Sequence, residues 1–139
     1  METSGLKLGR FISERRLDTF AWGINDCNTF TAQWVDRCKN TDITSGIQHQ
    51  YSNVKEMLRF SKVKKMKHEL SKAGYSVVQD TPTTGDILIR KDEKGFYHSA
   101  IVMHGYAYTM DMEKDLVKAD VGKIMQASPE TEIWRTVNA

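Results

Sequence analysis

The spacing of apolar residues changes character once along this chain, at Gly74, and that change restricts the fold more than any other feature. Before Gly74, apolar residues recur at helical spacing. Cys27, Phe30, Thr31, Trp34, Val35 and Cys38 share one such face, and Leu8, Phe11, Ile12 and Arg15 do so within residues 6–20. Phe20-Ala21-Trp22-Gly23 breaks the first helix, and Asn25-Asp26 can cap the start of the second. Residues 40–50 are polar and turn-rich. Val54, Met57 and Leu58 mark a further helix, which Val63, Met66, Leu70 and Ala73 continue up to Gly74, a suitable C-cap. Beyond Gly74, residues 75–79, 86–90, 96–103 and 106–111 read as strands, with two short additions at 124–126 and 133–137. Helices first and strands second predict an α+β fold, with N-terminal helices packed on a C-terminal antiparallel sheet. The 139 residues suit one domain, 1–139, and no repeat or linker divides them.

Charge and hydropathy exclude several functional classes. The net charge of +2 gives no reason to expect a nucleic-acid partner. No apolar run reaches the roughly 18 residues of a membrane span. Met1-Glu2-Thr3-Ser4-Gly5 lacks the basic start and apolar stretch of a signal peptide. Cytoplasmic synthesis is therefore expected, and assembly into a virus particle would leave no mark on such a sequence. Lys62, Lys64, Lys65, Lys67 and Lys72 read as a solvated helix face, with a patch for an anionic partner as the sharper alternative that nothing else in the sequence supports. No Cys-x-x-Cys and no His pair at helical spacing suggests a metal, and no cofactor motif is present.

Reactive chemistry can reside in a thiol. Cys27 and Cys38 lie on one predicted helix, eleven residues or roughly 16 Å of rise apart, too far for a disulfide. Cys27 follows the capping residue, where backbone N–H groups favour a thiolate and can hold an oxyanion. Cys38 sits mid-face and reads as a small core residue. Of the four histidines, His49, His68 and His104 fall in polar surroundings, whereas His98 lies inside a predicted strand. Alternation puts Phe96, His98, Ala100 and Val102 on one face and Tyr97, Ser99, Ile101 and Met103 on the other. If His104-Gly105 is a two-residue turn, Met103 faces Tyr106 and His98 faces Asp111. Asp111 is then the candidate to orient His98. A two-residue slip substitutes Thr109 or Glu113.

These segments together resemble the NlpC-type cysteine peptidases. Phe20-Ala21-Trp22-Gly23-Ile24-Asn25-Asp26-Cys27 resembles their aromatic-Gly…Asp-Cys motif, Thr84-Gly85-Asp86-Ile87-Leu88-Ile89 their Gly-Asp-hydrophobic strand, and His98-Ser99-Ala100-Ile101-Val102-Met103 the strand that begins with the catalytic histidine. The resemblance implies a papain-like core. Cys27 would be its nucleophile, His98 its general base and Asp111 its third residue. Asp26, Trp22 and Gly23 would support the cysteine turn. The reaction implied is cleavage of an amide bond, with a peptide or peptidoglycan stem as substrate and no cofactor or metal. Acyl transfer would use the same residues. Ile133-Trp134-Arg135 resembles the ending of a compact bacteriophage-associated branch, which implies a tail or virion component with other phage proteins as partners. Two departures stand out. Phe20 lacks the hydroxyl of the tyrosine common in the motif, and Asn28-Thr29 replace the usual Ser-Gly. They leave room for a catalytically inactive structural or assembly protein on the same fold.

Overall fold

A computed structural model describes residues 4–61 and 65–136. Helix α1 spans Ser4–Arg15 and α2 Cys27–Lys39. Helices α3 and α4 cover Val54–Ser61 and Met66–Lys72, so the predicted continuous stretch is two short helices. Val63, Lys62 and Lys64 lie outside the described residues. Strands follow at Tyr75–Val78 (β1), Ile87–Lys91 (β2), Tyr97–Met103 (β3), Tyr106–Asp111 (β4) and Asp115–Asp120 (β5). Helix α5 (Val121–Ala127) and strand β6 (Glu132–Thr136) complete the order. The fold is α+β, with N-terminal helices and a C-terminal six-stranded antiparallel sheet ordered β1-β6-β2-β3-β4-β5.

Two expectations are corrected. Residues 124–126 are helical, within α5, where Asp120 caps the start by accepting from the Lys123 N–H. The run was too short for its periodicity to separate strand from helix. Strand β5 was missed because its sequence, Asp-Leu-Val-Lys-Ala-Asp, is too polar to signal a strand. It forms by pairing along the whole of β4.

The sheet is covered on both faces. On one, α1 and α2 bury Leu8, Phe11, Phe30 and Trp34 against Ile101 and Met110. Beside them Val35, Ile43, Ile47, Tyr51, Met57 and Leu70 pack over Ile87, Ile89 and Trp134. On the other face Leu88, Val102, Ala107 and Ile133 pack with Val121 of α5. Adjacent residues Ile101 and Val102 are thus both fully buried, on opposite sides. The two-residue turn at His104-Gly105 forms as the hairpin count expected, with Met103 opposite Tyr106 and positive φ at both turn residues.

Strand β6 enters between β1 and β2 and brings Arg135 to the buried Asp86. The guanidinium donates to both Asp86 carboxylate oxygens, at 2.9 and 2.8 Å, and to Asp80 at 2.8 Å. Removing the arginine strands a buried charge. Arg135→Met is expected to cost markedly more stability than Asp80→Asn at its exposed partner, because it leaves the Asp86 carboxylate buried without its cation. Chemical denaturation of the two variants measures both losses.

Candidate active site

The loop before α2 is folded around one carboxylate. Asp26 is buried and accepts from the Gly23 N–H at 2.8 Å and the Thr29 N–H at 2.9 Å. Thr29 in return accepts from the Asp26 N–H, which completes a capping box. Gly23 has φ +75°, and a Cβ there would overlap the Tyr51 carbonyl oxygen. Only glycine suits that position. The Gly23 carbonyl accepts from the His49 N–H, which ties the 47–51 loop to the cysteine turn. Trp22 packs edge-on against Phe20 and against the larger helical core. Asp26, Trp22 and Gly23 therefore hold Cys27 at the first position of α2.

The thiol meets Ser99 of β3. The Ser99 hydroxyl donates to the Cys27 carbonyl oxygen at 3.0 Å and lies 2.7 Å from the Thr31 hydroxyl. Cys27 is half-buried, and the packing around it and then the Asp26 charge push its thiol up to about 11, with hydrogen bonding to Ser99 a partial offset. Burial and the adjacent carboxylate thus act against the helix N-terminus, which favours a thiolate. Cys38, also a free thiol, is likewise pushed up by burial.

His98 is not part of this constellation. Ser99 and Ile101 face α2, so alternation turns His98 to the opposite face, in phase with Ala100 and Val102 under α5. There His98 is paired across the ladder with Arg90, and its Nε2 lies 2.8 Å from Asp92 Oδ2. Asp92 also accepts from the Lys94 and Phe96 N–H groups and so closes the β2–β3 hairpin. The structure does not bring Cys27 and His98 together. It separates them by the thickness of the sheet.

Asp111 does not meet His98 either. The β3–β4 ladder ends at the Ile101–Tyr108 pair, and beyond it the Thr109 hydroxyl donates to the Ser99 carbonyl. Asp111 pairs with Asp115 and accepts from the Glu113 and Lys114 N–H groups in the β4–β5 turn. The count across His104-Gly105 was right for the turn but ran past the end of the ladder. The carboxylate beside His98 comes from the other hairpin, six residues before it.

Tyr51 is a further residue that the sequence did not mark, and Asn28 one it marked only as a departure from the motif. The Tyr51 ring stacks near Phe60, and its buried hydroxyl has no hydrogen bond of good geometry, with Asp26 and Asn28 as neighbours. Asn28 borders a cleft of about 500 Å³ between α3, α4 and the β2–β3 hairpin.

With this geometry in hand, the chain can be placed by comparison. It belongs to the family described as Domain of unknown function (DUF6950). The match covers residues 4–128, from α1 through α5, and ends before β6. No curated protein and no solved structure matches the chain. Among the described residues no helix is long and apolar enough to cross a membrane, and no group of three or more metal-ligating side chains is present.

The His98–Asp92 pair makes a pH prediction. The hydrogen bond from His98 is the main cause holding the Asp92 carboxyl down to about 2, from an ordinary value of 3.8. A depressed carboxylate stabilises the fold fully above its unfolded value and loses that contribution as pH falls through its folded value. The stability lost in Asp92→Asn should therefore shrink as pH falls from about 4 to about 2. Thermal unfolding across that range measures it.

Proposed function

We propose that this protein works without thiol catalysis, as a structural or assembly component on an NlpC-like scaffold. The resemblance of its motifs to the compact phage branch points to a phage particle as its setting. One observation carries this reading: the β3 side chain against Cys27 is Ser99, and the imidazole of His98 is engaged by Asp92 on the other face. A thiol hydrolase needs a base within hydrogen-bond reach of its nucleophile. A serine hydroxyl cannot accept the thiol proton at neutral pH, and burial and the Asp26 charge favour the protonated thiol.

Thiol hydrolysis of a peptidoglycan stem peptide, or acyl transfer to an amine, is the second reading. It is favoured by one feature, the placement of Cys27 at the opening of a 13-residue helix beside the cleft that Asn28 borders. It requires His98, or another base, to reach Cys27 by a path that strand alternation opposes.

Alkylation separates the two. In a Cys38→Ser background, the iodoacetamide rate at Cys27 should be slow at pH 7.5 and still rising above pH 10. His98→Ala should leave it unchanged, and incubation with peptidoglycan should release no fragments. A rate that levels off near neutral pH and collapses in His98→Ala, or stem-peptide cleavage lost in Cys27→Ala, would overturn the proposal in favour of the hydrolase.

A further inference from the structure

The cleft beside α2 has the size and lining of a ligand site, and its chemistry is independent of the thiol. Its volume of about 500 Å³ falls within the range of small-molecule pockets. The floor is apolar, from Ile47, Met57 and Ile89, and the walls add Phe60, Met66 and Phe96. Methionine thioethers adapt to bound apolar groups of varied shape.

The charge around it is one-sided. Lys65, Lys67 and Lys91 line the cleft against a single acid, Glu69, which lies 3.8 Å from Lys72. Lys67 is paired with Glu132 at 2.8 Å, so its charge is largely answered. Lys65 and Lys91 are exposed at the rim and form no ion pair with a described residue. The ammonium groups of Lys67 and Lys91 both lie over the Tyr97 ring, 4.8 and 5.6 Å from its centroid, which brings two positive charges to the Tyr97 wall of the cleft.

From this combination we infer that the cleft binds an amphipathic carboxylate, with its apolar body among Met57, Phe60, Met66 and Phe96 and its anionic group at Lys65 and Lys91. Such chemistry has two sources, a free aliphatic acid and the C-terminus of a peptide ending in apolar residues. The site goes beyond the assembly reading and stands whether or not Cys27 is catalytic.

Amide chemical-shift titration tests it, with octanoate and acetyl-Leu-Phe free acid as probes and octylammonium and acetyl-Leu-Phe amide as controls. At least one acid should give saturable shifts confined to the cleft, at Asn28, Ile47, Met57, Ile89 and Tyr97. Its uncharged or cationic counterpart should bind at least about fivefold more weakly. The double variant Lys65→Gln/Lys91→Gln should weaken the acid by about fivefold or more, as expected for two partly screened charges, and leave the uncharged acetyl-Leu-Phe amide unchanged. Both lysines are exposed, so the variant should keep the fold. Tighter binding of the peptide acid would identify a peptide terminus, and tighter binding of octanoate a free acid. Absence of saturable shifts with both acids, shifts centred elsewhere, or equal binding of acids and controls would overturn the inference.

Discussion

Strand β3 is buried on both faces at Ile101 and Val102, and its two-residue period governs what each side of the sheet can do. Ile101 fills the space under α1 and α2, and its neighbour Val102 fills the space under α5. A slip of one residue would exchange the two sets of side chains and disrupt both cores at once. The phase of Ile101 and Val102 in turn fixes Ser99 toward Cys27 and His98 away from it. The chemistry available at Cys27 is thus decided by packing at the far end of the same strand.

The opposite ends of the β2–β3 hairpin serve the two faces differently. Asp92 folds the turn and takes the His98 imidazole on the α5 side. Lys91 and Tyr97, in phase with Ile89 and Ser99, face the helices and help to wall the cleft. The helical side is held in place by local polar devices. Asp26 folds the turn before α2, and Asp36 gathers Thr41, Ile43 and Thr44 in the loop after it. These carboxylates bring Ile43, Ile47 and Tyr51 into the core from a segment that has little regular structure. The chain thereby builds a covered cleft from two short helices that could not form one alone.

Much of the fold was legible because its signals are local. The Asp26 cap, the α2 face and the His104-Gly105 turn each depend on a few adjacent residues. The alternation of β3 was legible too, but not which face met the helices. With Ile101 and Val102 both apolar, the pattern carries no label for inside and outside. The motif resemblance supplied a label, and it pointed His98 toward Cys27, against the geometry. Strand β5 escaped because pairing to β4, rather than its own residues, makes it a strand. Asp92 escaped because the hairpin was counted only from the His104 side. Tyr51 escaped because nothing in residues 40–50 signals that the loop folds back onto Gly23.

The central claim is that Ser99, and not His98, stands against Cys27, and engineered disulfides test it directly. In a Cys38→Ser background, Ser99→Cys and His98→Cys would each be oxidised and probed for a bridge to Cys27 by mass spectrometry. A disulfide needs Cα atoms within about 7 Å and Cβ atoms directed toward each other. The hydrogen bond from Ser99 to the Cys27 carbonyl puts these two residues side by side. The account predicts a bridge in Ser99→Cys and none in His98→Cys. A bridge in His98→Cys, with Ser99→Cys remaining reduced, would contradict it and restore the cysteine–histidine pair.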